Sequence, residues 1–113
     1  TKVGANPKGV ALARGLLWVA NTDDGTVSII DSATNSVAGT VDVGGTPRGV
    51  TAAFGSVWVA NGDGYVTQVD PKEQEVAATV ELQAPASPEE IAADDEELWV
   101  STGAGDSVVR VQP

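Results

Sequence analysis

Residues 43–61 read VGGTPRGVTAAFGSVWVAN, and most of that stretch has already occurred once in the chain. Val43-Gly44-Gly45-Thr46-Pro47-Arg48-Gly49-Val50 follows the pattern of Val3-Gly4-Ala5-Asn6-Pro7-Lys8-Gly9-Val10, and Trp58-Val59-Ala60-Asn61 repeats Trp18-Val19-Ala20-Asn21. A looser third copy ends in Trp99-Val100-Ser101-Thr102. Pro7, Pro47 and Pro88 each stand eleven positions before their tryptophan, and Val10, Val50 and Ile91 stand eight before it. Three copies in one register define a repeat of about forty residues, a period typical of stacked or circular arrays.

Within each copy the pattern predicts four short strands. The first covers Gly9–Ala13, Gly49–Ala53 and Ile91–Ala93, and a tight turn (Arg14-Gly15, Phe54-Gly55, Asp95-Glu96) leads to the second strand around the tryptophan. Turns at Asp23-Asp24-Gly25, Asp63-Gly64 and Gly105-Asp106 lead to a third strand at Thr26–Ile30, Tyr65–Val69 and Ser107–Val111. Asp31–Asn35 and Asp70–Gln74 then turn the chain into a fourth, Val37–Val43 and Val76–Leu82. Apolar residues at two-residue spacing, such as Val27 and Ile29, fit half-buried strands.

Four short strands every forty residues predict an all-β fold of tandem four-stranded antiparallel β-propeller blades. The blades fall at about 5–43, 44–82 and an incomplete 83–113, with 1–4 as the tail of a closing strand. Small residues crowd the first strands (Ala11, Ala13, Ala52, Ala53, Ala92, Ala93), as an innermost position near an axis requires. Each tryptophan is bulky enough to fill the gap between neighbouring sheets. That packing reading outweighs an aromatic cage for a cationic ligand.

The chain has 113 residues with six basic and sixteen acidic side chains, a formal net charge of −10. Such a field repels a phosphate backbone, so nucleic-acid binding is not expected. Half of the acidic residues lie between Glu81 and Asp106, with a run at Asp94, Asp95, Glu96 and Glu97 that reads as a solvated hairpin tip. There is no cysteine and no histidine. Disulfides, thiolate chemistry, the Ser-His-Asp triad and most catalytic zinc sites therefore have no residues to use. No stretch approaches the ~20 apolar residues of a membrane-spanning helix.

Trp18-Val19-Ala20-Asn21 and Trp58-Val59-Ala60-Asn61, preceded by Gly-x-x-Pro-x-Gly-Val and followed in the first copy by Gly-Thr-Val-Ser-Ile-Ile-Asp, resemble the YVTN family of propeller repeats. The resemblance covers essentially the whole chain. It implies the fold, and an extracellular or cell-surface setting, because such repeats occur in surface-layer and secreted proteins, in sensor domains and in some lyases. The third copy departs from the pattern: Glu89-Glu90 replaces Lys8-Gly9, and Ser101-Thr102 replaces Ala-Asn. The lyases rely on histidine, which has no counterpart here.

Just under three blades fall short of the ~4–8 of a closed propeller. Pro113 aligns with Pro71, and Thr1–Gly4 align with Val41–Gly44. Two completions are expected: a homodimer forming a six-bladed ring, or the remainder of a longer propeller. The expected function is non-enzymatic binding of a polar small ligand or peptide. The alternative is a purely structural or engineered repeat with no ligand. Loops entering the first strand and joining the second to the third should share one face, which would gather Asn6, Lys8, Asn21, Asp23, Arg48, Asn61, Asp63 and Thr102. The longer segment Leu82–Pro88 belongs to that face as well. No cofactor or catalytic residue is expected. The oxygen-rich loops at Asn21–Gly25 and Asn61–Gly64 suggest calcium, but they lack EF-hand spacing and read better as turns.

Overall fold

The structure is a computed structural model and describes residues 1–82, 87–103 and 107–113. The Leu82–Pro88 loop and the Gly105-Asp106 turn therefore lie partly or wholly outside the described residues. Among the described residues, eleven strands form three antiparallel sheets. The first holds β1 (Pro7–Ala13), β2 (Leu16–Asn21), β3 (Thr26–Asp31) and β4 (Ser36–Asp42), paired in chain order. The second repeats this with β5 (Pro47–Ala53), β6 (Ser56–Asn61), β7 (Tyr65–Asp70) and β8 (Glu75–Glu81). The third has β9 (Pro88–Ala93), β10 (Leu98–Thr102) and β11 (Ser107–Val111). These are propeller blades, the last with three described strands.

The first strands begin two to three residues earlier than the apolar pattern suggests. Pro7, Pro47 and Pro88 pair with Asn21, Asn61 and Thr102, and each pairing is followed by a register shift. A bulge of this kind lets a strand extend past its apolar core while re-aiming its end. The β1–β2 and β5–β6 hairpins use two-residue turns with both residues at positive φ, Arg14 and Gly15 at 54° and 73°, Phe54 and Gly55 at 53° and 74°. Such turns match the right-handed twist of the strands they join.

Innermost strands β1, β5 and β9 lie side by side, so the blades stack in sequence. Trp18, Ala20, Val27, Ile29 and Val41 on one side of the first blade pack against Val50, Val57, Val59 and Val69 of the second. On the second blade, Trp58, Ala60 and Val66 pack against Ile91, Leu98, Val100 and Val111 of the third. Each sheet is thus apolar on both faces, one toward the preceding blade and one toward the next. Trp18 and Trp58 sit fully in these seams, and their indole N–H groups donate to the carbonyls of Ala13 and Ala53 at 3.2 and 2.9 Å.

Candidate functional site

The pairing of each proline with the end of the second strand dictates where the loops go. Backbone N–H groups just past the second strand donate to the segment entering the first: Thr22 to Asn6, Gly62 to Thr46 and Gly103 to Ser87, at 3.1, 2.9 and 3.1 Å. The same bond in three blades brings the entry and exit loops together on one face, as expected from the sequence.

Three of the expected site residues are committed to holding that face together. Asn21, Asn61 and Thr102 occupy one repeat position and are 0%, 2% and 3% exposed. The Asn61 side-chain carbonyl accepts from the backbone N–H of Thr46 and of Asp63, both at 3.0 Å, and its amide donates to the Gly44 carbonyl at 2.8 Å. Asn21 turns its amide the other way, donating to the hydroxyls of Thr26 and Ser28 at 3.1 and 2.8 Å and leaving Oδ1 buried without a partner. The first blade has one more residue in this turn, and its Asp24 carboxylate accepts the Ala5 N–H at 2.9 Å. Thr102 reaches Ser107 through its hydroxyl. Each of these buried side chains makes at least one bond, to the loop backbone or to a neighbouring hydroxyl, with the Asn21 Oδ1 as the unmatched atom.

The other five residues are accessible. Asn6 and Thr46 occupy equivalent positions, and each donates from its side chain to a carboxylate on the neighbouring loop. Asn6 reaches Asp23 at 3.4 Å, and Thr46 reaches Asp63 at 3.3 Å. Lys8 is exposed on β1. Arg48, on β5, is half-buried and ion-paired with Glu89 on β9, while its Nε is buried without a partner. Glu89 was not in the expected set. Its signal was present in the repeat: Lys8, Arg48 and Glu89 share one position, and the sign of the charge reverses in the third copy.

Asn61 and Asp63 also line a pocket of about 180 Å³ with Val43, Gly44, Gly45, Tyr65, Thr67 and Thr79. That is smaller than the ~300–1,000 Å³ of sites for drug-sized ligands. The loops considered for calcium close as turns, with Asp24 and Gly25 N–H donating to the Asn21 carbonyl and Gly64 N–H to the Asn61 carbonyl. Among the described residues, no group of three or more acidic, histidine or cysteine side chains is placed to hold a metal ion.

The acidic run lies at the opposite end of the third blade, in the turn from β9 to β10. Asp94 Oδ1 accepts from the backbone N–H of Glu96 and Glu97 at 2.8 and 2.7 Å, and Oδ2 accepts from the Trp99 indole at 2.9 Å. The bonds from Glu96, Trp99 and Glu97 hold its carboxyl below the ordinary carboxylate value. This exposed aspartate caps a turn.

No family model matches the chain, and no curated protein does either. Solved structures do match. A catalytically inactive virginiamycin B lyase from Staphylococcus aureus aligns with TM-score 0.83 at 16% identity, over 96% of this chain and 39% of that one. The WD40 β-propeller domain of Doa1 aligns with TM-score 0.77 at 16% identity, over 92% and 35%. BamB from Moraxella catarrhalis aligns with TM-score 0.75 at 14% identity, over 92% and 30%. The chain therefore spans well under half the length of these neighbours. At such identities the shared feature is the fold alone: the chain is a β-propeller module.

Proposed function

We propose that the chain is a non-enzymatic binding or interaction module that takes a polar small ligand or a peptide on its loop face. The observation carrying this reading is the recurrence of one hydrogen-bond scheme in successive blades, which sets accessible polar and charged groups on a single side. Of the expected residues, a ligand there would meet Asn6, Lys8, Asp23, Arg48 and Asp63. Asn21, Asn61 and Thr102 would hold the loops beneath it.

The reading against catalysis rests on composition. One structural neighbour is a virginiamycin B lyase whose inactive form carries alanine in place of a histidine. This chain contains no histidine, so its own residues cannot supply that group. Thermal melting against a panel of short peptides and polar metabolites tests the proposal. At least one class should raise the melting temperature, and Arg48→Ala or Asp63→Asn should abolish the shift. If no compound does so, the architectural alternative stands.

The reading includes self-association, with two copies completing a six-bladed ring. It is supported by the two outer blade faces, which carry the same residue types as the two sides of the internal seams and lie uncovered. Val10 is 59% exposed, whereas its equivalents Val50 and Ile91 are 8% and 7% exposed. Sedimentation equilibrium at micromolar concentration should give twice the 11.4 kDa chain mass. A stable monomer would remove this part of the reading.

A further inference from the structure

We infer that Glu90 is a wedge that makes the seam between two copies weaker than either seam inside the chain. The inference rests on the self-association reading above and names the contact that would limit it. Its starting point is the close approach of the innermost strands. A Cβ on Gly9 would lie 2.3 Å from the Arg48 carbonyl and 2.9 Å from the Val50 amide nitrogen on the next blade. A Cβ on Gly49 would lie 2.7 Å from both the Cα and the Oε1 of Glu90, whose carboxylate bends back toward this seam, and 2.9 Å from the Glu89 carbonyl. Both internal seams therefore require a residue without a side chain at this position, because backbone on the facing strand cannot yield to it.

The third copy has glutamate there. Pro88-Glu89-Glu90-Ile91 aligns with Pro7-Lys8-Gly9-Val10 and Pro47-Arg48-Gly49-Val50. Glu90 is exposed and lines a depression on the open face of the third blade with Ile91, Ala92, Trp99, Ser101 and Val108. Repeating the internal step once more would set this side chain against the Lys8–Val10 backbone of a second copy.

The rest of that face favours a second copy as the occupant. Trp99 and Val108 would meet Val10, Leu17 and Val19 of the other molecule, as Trp58 and Val66 meet Ile91, Leu98 and Val100. The Arg48–Glu89 pair spans the second and third blades, and the next step would place Glu89 beside Lys8 of the second copy. By contrast, the corresponding repeat positions of the first and second blades are Lys8 and Arg48, two like charges. Leu12, 64% exposed, stands where the internal seams have Ala52 and Ala93. Beside Ala52 the structure holds an open pocket of about 270 Å³, lined also by Ala13 and Arg14, which a leucine at the equivalent place would help to fill. The uncovered seam is thus matched in apolar shape and charge and mismatched at Glu90.

Sedimentation equilibrium of the whole chain and three variants tests this. Glu90→Gly should tighten self-association about tenfold or more. Glu90→Ala, which keeps the Cβ, should tighten it less, and Leu12→Ala should weaken it about tenfold. A Glu90→Gly variant that associates no more tightly than a dimeric wild type overturns the wedge and leaves the dimer standing. Association that ignores Leu12→Ala means the copies meet elsewhere and overturns both. Wild type and Glu90→Gly that both stay monomeric also overturn both. A monomeric wild type with a dimeric Glu90→Gly overturns the wild-type dimer of the reading above while supporting the wedge.

Discussion

Trp58 and Trp99 occupy the same place in successive blades and anchor their indoles at the same offset. Trp58 bonds the Ala53 carbonyl and Trp99 bonds the Asp94 carboxylate, both at 2.9 Å. One is 2% exposed and the other 38%. Local structure is nearly constant, so the difference comes from whether another blade follows. Burial in a repeat fold is a property of the neighbour, because one blade cannot cover its own two faces.

The largest test of this contrast is truncation. Trp58→Ala should cost ~3–5 kcal/mol in urea unfolding, with Trp18→Ala close behind. Trp99→Ala should cost about 1 kcal/mol at protein concentrations where the chain is monomeric. Equal losses would mean that the face of the third blade is already covered. If copies do associate, the Trp99→Ala penalty should grow with protein concentration, since a bound partner stabilises by mass action.

A second test addresses the strand approach. Gly49→Ala puts a methyl against Glu90 and Glu89 backbone and should lose ~1–3 kcal/mol by overpacking, measured by thermal melting. Glu90→Ala, on the open side, should leave the stability of the monomer within about 0.5 kcal/mol. A tolerated Gly49→Ala would show that the internal seam is looser than the strand spacing indicates.

The two asparagines offer a third comparison. Asn61→Ala strands the Thr46 and Asp63 N–H groups and should cost ~1–3 kcal/mol. Asn21→Ala should cost less, because its Oδ1 has no partner to lose and hydroxyls accept its amide. Unfolding curves for the two variants measured side by side settle the order.

The smallest effect is pH-dependent. The Asp94 carboxyl is held below its ordinary value in the folded state, so its contribution is present above the unfolded value and fades as pH falls through the folded one. Asp94→Asn should melt below wild type at neutral pH, and the gap should close on acidification below the carboxylate range. Trp99 emission should shift in the same window as its indole partner protonates. A gap independent of pH would mean the turn is held without the charge.

Much of the architecture was legible in the chain because short-range chemistry sets it. The spacing from Pro47 to Trp58 and the Phe54-Gly55 turn are local instructions for strand, hairpin and register. The site was legible only in outline. The repeat located the loop face, but Asn21, Asn61 and Thr102 were expected among the groups that meet a ligand, and folding buries them beneath the loops. Glu89 stood out only as a departure from the repeat and not as a site residue, because its partner, Arg48, lies in another blade.

The sequence alone determined that this protein is made of about forty-residue four-stranded units, each greasy on both sides, with turns at set places. Only the tertiary structure decided which tryptophans are covered, which polar groups are spent on the backbone and where the strands come too close for a side chain. The reason is range. Strand and turn preferences act between residues a few positions apart, whereas burial and pairing between blades depend on groups some forty positions away, brought together only when the sheets stack.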